Sequence, residues 1–265
     1  MITRTGHVDL HLHSACSDGS DPPETVVERA DSLGFAALAI TDHDTVAGVE
    51  RGEETARGLG LGYLCGVEIS AQFGKNEVHI VGLGINPRDA ILCGTLEEMR
   101  QARARRAEQI VEKLNAIGVG IDPARIKMGD NHRGTVGRMH IARLVVQGGY
   151  AKTVQDAFNK FLNPGCPAYL PRQRVTCEKA IEVIHGSGGL AFLAHPGIGS
   201  LMQYFQSLAR LPFDGLEAFH TKHSPGQTEQ FIVLAKELGW LVSGGSDCHG
   251  NTKTTPEMGK IRVPY

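Results

Sequence analysis

The chain has 265 residues, 41% of them hydrophobic and 21% charged, which is enough to build the core of one large domain or of a domain with an insertion. The formal net charge of −2 argues against a protein that binds polyanions through its overall charge. No apolar run approaches the roughly 18 residues of a membrane span, and we expect no signal peptide. The six cysteines show no Cys-x-x-Cys spacing, so we expect free thiols and a cytoplasmic protein.

Strand and helix patterns alternate along the first part of the chain. Residues 8–11 are predicted to form a strand. Asp21 and the two prolines after it predict the N-cap of a helix that ends at Gly34. The elements predicted next are a buried strand at residues 36–41, a helix at 45–57 and strands at 63–69 and 77–85.

The same alternation returns after an interruption. The elements predicted there are helices at residues 178–185, 201–208 and 228–238, and strands at 190–194, 215–219 and 240–243. Repeated strand–helix units predict a parallel α/β fold, most simply a barrel. The barrel sequence would then comprise residues 1–87 and 176–265.

The interruption at residues 88–175 has a different character. Its patterns predict a long helix at 96–117 and shorter helices at 137–146 and 153–161. Residues 95–145 hold ten Lys and Arg against six Asp and Glu, so this stretch carries +4 and the remainder of the chain −6. We interpret it as a basic helical cap over an acidic mouth, with a solvated helix face as the alternative.

Four short patches bring histidines together with carboxylates or prolines. They read Asp9-Leu10-His11-Leu12-His13, Thr41-Asp42-His43-Asp44, Ala194-His195-Pro196 and Ser246-Asp247-Cys248-His249. Gly66-Val67-Glu68 and the lone His79 lie between the second and third patches. Nearly all of these residues fall at the carboxyl end of a predicted strand, the end at which parallel barrels build their active sites.

Imidazole and carboxylate together are the ligand set of a hydrolytic transition-metal site. A His-x-His pair on a strand turns both imidazoles the same way, because side chains alternate. We expect three ions: one held by His11, His13, Glu68 and Asp247, one by Glu68, His79 and His195, and one by Asp18, His43 and His249. Nine ligands for three ions leave positions open for water and phosphate oxygens, and a hydroxide shared between ions would be the nucleophile.

These motifs, in this order and over nearly the whole chain, resemble the polymerase-and-histidinol-phosphatase (PHP) superfamily of metal-dependent phosphoesterases. The matching segments are His11-x-His13, Asp18-Gly19, Thr41-Asp42-His43, Gly66-Val67-Glu68, His79, His195-Pro196 and Ser246-Asp247-x-His249. The resemblance implies a distorted (β/α)7 barrel with a helical insertion. It also implies a trinuclear site of manganese, or alternatively of iron or zinc.

Within that superfamily the insertion resembles the branch of nucleoside 3′,5′-bisphosphate phosphatases and 5′→3′ exonucleases that act on short RNA. That resemblance implies substrate contacts from Arg105, Arg106, Arg138, His140, Arg143 and His223. Guanidinium groups suit phosphate recognition. The stretch at residues 219–223 matches the branch less closely, so His223 alone is carried over from it. The chain stops soon after the last motif, so we expect the terminal elements of longer relatives to be missing.

The sequence therefore predicts a phosphoesterase that hydrolyses a phosphate monoester of a nucleoside 3′,5′-bisphosphate or trims short 5′-phosphorylated oligonucleotides. Glu68, Asp247 and His223 are its predicted catalytic residues, and no membrane or obligate protein partner is expected. Histidinol-phosphate phosphatase is the nearest alternative, which the +4 insertion disfavours. A non-catalytic nucleic-acid-binding module is the alternative of another class. Such a module would typically have lost some metal-ligating residues, whereas all nine positions here hold residues that can bind a metal. A metal-dependent amidohydrolase is disfavoured, because it would need a lysine at a strand end and none stands there near the motifs.

Overall fold

The computed structural model describes residues 6–127, 137–172, 174–250 and 257–264. The chain divides into two units. One comprises Met1–Leu96 with Arg174–Tyr265, and the other is Glu97–Gln173. The first unit contains the sheet and all four histidine patches, and the second is helical.

One sheet of nine strands organises the first unit within the described ranges. The strands are β1 His7–Leu12, β2 Ala37–Ile40, β3 Gly62–Phe73, β4 Asn76–Leu83, β5 Val175–Thr176, β6 Leu190–Leu193, β7 Gly215–His220, β8 Leu241–Gly245 and β9 Val263–Pro264. Their order is β8-β7-β6-β4-β3-β2-β1-β9, with β5 beside β3. All four residues of β2 are buried, as expected for a strand with covered faces on both sides.

In the part of the chain that the structure describes, helices lie between β1 and β2, β2 and β3, β5 and β6, β6 and β7, and β7 and β8, and four further helices lie in succession between β4 and β5. They are α1 Pro23–Ser32, α2 Val49–Leu59, α3 Ala90–Ala116, α4 Ala124–Lys127, α5 Arg138–Gln147, α6 Val154–Ala157, α7 Cys177–Gly186, α8 Phe205–Leu208 and α9 Pro225–Leu238. A π-helical turn follows α6 at Phe158–Leu162, and a 3₁₀ turn precedes α8 at Leu201–Tyr204. Within the described ranges, no helix combines the length and apolarity that crossing a bilayer requires.

The ends of the sheet meet, so the strands form a nearly closed barrel. The backbone N–H of Asp247, just after β8, donates to the carbonyl of His11 on β1 at 2.9 Å. The N–H of His13 donates to the carbonyl of Cys248 at 3.0 Å. These two bonds place the last histidine patch directly beside the first, as the barrel prediction requires.

The expectation of a parallel sheet is wrong at two strands, β4 and the two-residue β9, which pairs antiparallel with β1. β4 runs antiparallel to both of its neighbours, β3 and β6, whereas β1, β2, β3, β6, β7 and β8 pair in parallel where they are adjacent. β3 also continues to Phe73, so Glu68 lies within the strand and not at its predicted end. A two-residue turn containing Gly74, with φ +59°, joins β3 to β4 as a hairpin.

The predicted start of the first helix is also wrong in detail. Pro22 occupies the N-cap of α1, and no side chain caps the helix. Asp21 pairs instead with Arg29 on the same helix, with Oδ2 2.8 Å from Nη1. The predicted end is close, because Gly34 follows the C-cap residue with φ +76°.

The helical unit has a hydrophobic core of its own. Ile110, Val111 and Leu114 of α3 are buried in one cluster with Ile141 and Val145 of α5. The long helix therefore packs through its buried apolar side chains against α5. The six cysteines are free thiols, as expected.

Closure of the barrel should depend on the absence of a side chain at Gly245. A β-carbon built there would lie 2.5 Å from Cβ of His11 and 2.7 Å from Oδ1 of Asp9. We expect Gly245→Ala to lower the free energy of unfolding by about 1–3 kcal/mol, because β1 and β8 would have to separate. Urea denaturation followed by circular dichroism measures this.

Gly58→Ala is the matched control. Gly58 lies in α2, and a β-carbon added there would point into open space. The substitution should therefore leave stability unchanged or raise it by about 0.5–1 kcal/mol, because alanine is the better helix former. A Gly245→Ala protein as stable as the control would contradict the tight β1–β8 approach.

Candidate metal centre

The His-x-His pair on β1 faces the barrel interior, as the alternation of side chains predicts. Both side chains are buried, and the Nε2 atoms of His11 and His13 lie 3.2 Å apart. Two imidazole nitrogens this close cannot both carry protons without repulsion. A shared cation between them resolves that conflict.

Glu68 lies at the centre of the cluster and is 1% exposed. Its Oε2 is 3.3 Å from Nε2 of His11, 3.2 Å from Nε2 of His13 and 3.0 Å from Nδ1 of His43. Its Oε1 is 2.9 Å from Nδ1 of His79 and 3.2 Å from Nε2 of His195. One carboxylate thus contacts five imidazoles from different parts of the chain.

The reversed direction of β4 explains how His79 reaches Glu68. His79 lies opposite Ser70, two residues beyond Glu68 on β3. In a parallel neighbour, a residue this near the start of the strand would lie at the far end of the barrel. The hairpin places it instead at the end where the other ligands gather.

Two aspartates complete the set. Oδ1 of Asp247 is 3.2 Å from Nε2 of His13. Oδ1 of Asp18 is 3.3 Å from Nε2 of His249, and its Oδ2 is 4.0 Å from Nε2 of His43. The structure therefore brings all nine predicted ligands into one cluster.

Three groups within the described residues have ligand atoms close enough to hold an ion. They are His11, His13 and Glu68; His43, Glu68 and His79; and His13, Asp18, His43 and His249. The predicted division of the ligands differs from these groups in three places, the first being that Asp247 is not included with His11, His13 and Glu68. His43 stands beside Glu68 and His79 where His195 was expected, and His13 joins the group around Asp18.

Backbone strain is concentrated at this cluster. Among the described residues, the non-glycine positions with left-handed φ are Asp44 (+53°), His195 (+31°) and Asp247 (+54°). Such conformations cost of order 1–3 kcal/mol each and persist where the surroundings impose them. Two of the three are predicted ligands, and Oδ1 of Asp44 accepts from the N–H of Ser70 at 2.7 Å.

Asp42 orders the loop that carries Asp18. It accepts hydrogen bonds from the N–H of Ser14 at 2.7 Å, from Oγ of Ser14 at 2.6 Å and from Oγ of Ser17 at 2.5 Å. The sequence shows that Asp42 lies beside His43, but it does not show that Asp42 binds Ser14 and Ser17. Loop-ordering contacts of this kind depend on which segments meet in space.

Three further residues of the site are absent from the sequence-based prediction. Glu217 is fully buried on β7, with Oε1 2.8 Å from Nδ1 of His11. Nε2 of His220 and Nζ of Lys222 lie 3.6 Å and 3.8 Å from Oδ2 of Asp247. The available signal is Glu217 itself, a charged residue in the apolar run Gly-Leu-Glu-Ala-Phe, because a buried charge needs a partner.

The predicted arginine contacts all lie in the helical unit, and two of them have structural roles there. Arg106 donates to the carbonyls of Leu170 and Pro171. Arg138 donates to the carbonyl of Leu162 at 3.3 Å, and its guanidinium lies 5.6 Å from the centre of the Phe158 ring.

The other residues of this unit that are predicted to contact substrate are Arg105, His140 and Arg143. Arg105 and Arg143 are exposed, and Nε2 of His140 is 3.4 Å from the carbonyl of Arg125. A cavity of about 250 Å³ is lined by Ala102, Arg105, Arg106, Gln109, Leu170 and Pro171.

His223 belongs to the first unit, and both of its ring nitrogens are engaged. Nε2 accepts from the N–H of Gly197 at 3.1 Å, and Nδ1 donates to the carbonyl of Ala218 at 2.9 Å. A phosphate could replace only one of these bonds. The role of His223 as a phosphate contact stays a prediction.

The electrostatics of the cluster favour positive charge. Burial disfavours the ionised form of Glu68, but His43 and His11 outweigh it and hold the pKa of Glu68 well below its usual value. Burial likewise opposes the charge of Asp247, and His13 and His220 hold its pKa below the usual range. Both carboxylates are therefore ionised at neutral pH.

The histidines show the counterpart of this effect. Burial disfavours the charge of His13, but Asp247 and Glu68 outweigh it and raise the pKa of His13 to about 9. The same balance, with Glu68 as the main partner, raises the pKa of His79 to about 10. Burial lowers the pKa of His195. Without metal, protons are the cations that the carboxylates hold.

The residues fit divalent metal ions. Nδ1 of His13, Nδ1 of His43 and Oε2 of Glu68 are buried, and none of them reaches full hydrogen-bond geometry with a described residue, although Nδ1 of His43 and Oε2 of Glu68 lie 3.0 Å apart. Poorly satisfied buried polar atoms are costly, and several that point into one cluster favour a cation-binding site. Imidazole and carboxylate donors suit manganese, iron and zinc alike.

Comparison with known proteins agrees with this geometry. The family model described as PHP domain matches residues 9–125. A 3′,5′-nucleoside bisphosphate phosphatase from Chromobacterium violaceum is 36% identical over 92% of this chain and 87% of its own length. The chain belongs to the PHP family.

Further relatives of the PHP protein cover it to a similar extent. The 5′-3′ exoribonuclease Rnm of Escherichia coli is 38% identical over 91% of this chain and 84% of its own. The solved structure of a Bifidobacterium adolescentis protein described as a metal-dependent phosphoesterase superposes with a TM-score of 0.79 and 31% identity, covering 97% of this chain and 92% of that one. The PHP protein is a phosphoric ester hydrolase that uses divalent metal ions.

Metal binding should strengthen as the pH rises. A metal takes the lone pair of a neutral imidazole, so it must displace the protons that His13 and His79 hold below pH 9 and 10. Protonation of these groups stabilises the metal-free fold at low pH, and that contribution is lost as the pH rises through 9 and 10. We expect the apparent association constant for Mn²⁺ to rise at least about tenfold per pH unit between pH 6 and 8.

Isothermal titration calorimetry in two buffers of different ionisation enthalpy measures the protons released per ion bound. The rise in melting temperature on adding Mn²⁺ should grow over the same pH range. An affinity that does not change between pH 6 and 8 would show that these histidines are not protonated in the metal-free protein.

Proposed function

We propose that this PHP protein hydrolyses a phosphate monoester of a nucleoside 3′,5′-bisphosphate and, as a related activity, trims short 5′-phosphorylated oligonucleotides in the cytoplasm. Three divalent ions, Mn²⁺ or alternatively Fe²⁺ or Zn²⁺, would be bound per chain. The observation that carries the proposal is the cluster of nine candidate ligands, in which five imidazoles contact the two oxygens of Glu68. The bisphosphate phosphatase and the exoribonuclease among its relatives support the choice of substrate.

The nine ligands would hold the ions, with Glu68 and Asp247 supplying negative charge at the centre. The ions, when bound, would supply a water nucleophile at neutral pH and neutralise charge on the phosphate. Lys222 adds a cation of the protein itself, because its half-exposed ammonium lies 3.8 Å from Asp247. From there it can contact a phosphate oxygen that the ions leave free.

Charge supports a substrate with more than one phosphate. Residues 97–173 contain 13 Lys and Arg and 7 Asp and Glu, a net charge of +6, so the remainder carries −8. The acidic cluster requires metal ions before it can accept any phosphate. The basic unit can attract a second phosphate without them.

Arg105 is the arginine best suited to this recognition. Its side chain is exposed and lines the 250 Å³ cavity, whereas the Arg106 guanidinium is already bound to two carbonyls. We therefore propose that Arg105, with Arg143, contacts the phosphate that is not cleaved. A histidinol phosphate has no second phosphate and carries a positive amine, so this unit disfavours it.

A substrate panel with Mn²⁺ tests the proposal. We expect release of phosphate from adenosine 3′,5′-bisphosphate, slower release of nucleotides from a short 5′-phosphorylated RNA, and little turnover of histidinol phosphate. Glu68→Ala should lower kcat by more than about 100-fold, because several kcal/mol of transition-state stabilisation is lost and each 1.4 kcal/mol is about tenfold in rate.

Metal content and circular dichroism of Glu68→Ala show whether the fold is intact. A folded variant that keeps more than about a tenth of the wild-type kcat would show that the central carboxylate is not needed. If histidinol phosphate were the best substrate, the protein would still be a phosphatase but the assignment of a nucleotide substrate would be wrong.

Recognition by Arg105 can be separated from general charge by a matched pair of variants. Arg100 lies on the same helix, is exposed and pairs with Glu97 through two hydrogen bonds, and it does not line the cavity. We expect Arg105→Ala to raise KM for the bisphosphate by about 10- to 100-fold, the usual effect of losing a charge-assisted hydrogen bond. Arg100→Ala should change KM by less than about threefold.

Steady-state kinetics with the bisphosphate and with an aryl phosphate measure both effects. The aryl phosphate lacks the second phosphate, so its turnover should change little in either variant. An equal rise in KM for the bisphosphate in Arg105→Ala and Arg100→Ala would mean that the helical unit acts only through its overall charge.

A further inference from the structure

Glu217 occupies an unusual position for a residue that is not a candidate ligand. It is fully buried on β7 and belongs to none of the groups that could hold an ion among the described residues. Both of its oxygens are nevertheless used. Oε1 lies 2.8 Å from Nδ1 of His11, and Oε2 accepts from the backbone N–H of His195 at 2.8 Å.

The first contact determines which nitrogen of His11 is available. A carboxylate only accepts hydrogen bonds, so Nδ1 of His11 keeps its proton and donates. The lone pair of the neutral ring is then on Nε2. That nitrogen lies 3.2 Å from Nε2 of His13 and 3.3 Å from Oε2 of Glu68, inside the cluster.

The second contact acts on a strained part of the backbone. His195 follows β6 with φ +31°, a conformation that needs external support. The hydrogen bond from its N–H to Glu217 supplies such support. The ring of His195 meanwhile reaches Glu68, with Nε2 3.2 Å from Oε1. One carboxylate thus holds one histidine by its ring and another by its main chain.

We propose that Glu217 is the positioning residue of the metal centre: it fixes the tautomer of His11 and the backbone of His195, and so sets the affinity of the centre for metal. The inference rests on the proposed metal centre. Both partners of Glu217 are donors, so the position requires an acceptor on each side. In a Glu217→Gln variant the side chain has only one acceptor oxygen, so its NH₂ group would face one of the two donors, Nδ1–H of His11 or the backbone N–H of His195.

The test compares Glu217→Gln with Asp9→Asn. Asp9 is also fully buried and also contacts His11, but the contact is with the main chain: its Oδ1 accepts from the N–H groups of His11 and Ser246. We expect Glu217→Gln to weaken Zn²⁺ binding by about 10- to 100-fold in competition with a chelator, the usual effect of losing such a partner. Asp9→Asn should weaken it by less than about threefold.

A spectroscopic measurement distinguishes positioning from a general structural effect. In ¹⁵N-labelled protein loaded with Zn²⁺, the Nδ1–H resonance of His11 should be present in the wild type and in Asp9→Asn, and absent or strongly shifted in Glu217→Gln. Should Glu217→Gln not fold, Glu217→Asp carries the same test, because its shorter side chain keeps the charge but cannot span both donors.

An unchanged Zn²⁺ affinity in a folded Glu217 variant would overturn the proposal, and so would equal losses in the Glu217 and Asp9 variants. These measurements use no substrate. A failure of the nucleotide assignment therefore leaves this result unaffected, and a failure here leaves the substrate panel unaffected.

Discussion

Five imidazole rings converge on the two oxygens of Glu68, and the rest of the site depends on that convergence. An isolated carboxylate buried to this degree would be protonated or would destabilise the fold. The histidines that surround it compensate its charge, but they crowd one another, with the Nε2 atoms of His11 and His13 only 3.2 Å apart. Neither the carboxylate nor the rings are well accommodated alone. Divalent ions bound by these residues would satisfy both, because they would compensate the carboxylate charge and accept the lone pairs of the rings.

The barrel makes this convergence possible through two features of its topology. Hydrogen bonds between β1 and the segment after β8 bring the first and last histidine patches together, although more than 230 residues separate them. The reversed β4 brings His79 to the same end of the barrel as the residues that follow parallel strands. Asp42 and Glu217 then hold the loops and rings in place from outside the ligand set. The conformational strain at His195 and Asp247 is maintained by these surrounding contacts.

The two units carry opposite net charges, and the proposed function uses this difference. Under that proposal the acidic unit would bind the metal ions and the basic unit would attract the second phosphate, so the two tasks would not compete for the same side chains. Arg106 and Arg138 show that a basic residue in the helical unit can also serve its own fold, by binding main-chain carbonyls. Under the proposed function, phosphate recognition would come from arginines that remain exposed, such as Arg105 and Arg143.

The sequence by itself determined which nine residues are candidate ligands, the alternation of strands and helices and the position of the helical insertion. These depend on local patterns: residue types with metal affinity, apolar periodicity and turn residues. Only the tertiary structure decided the direction of β4, the extent of β3 beyond Glu68 and the approach of His43, His79 and His195 to the same carboxylate, Glu68. The contacts of Glu217, Asp42 and Lys222 emerged there too. Strand direction and side-chain proximity depend on pairing between distant segments, and no periodicity within a single segment records which partner it will meet.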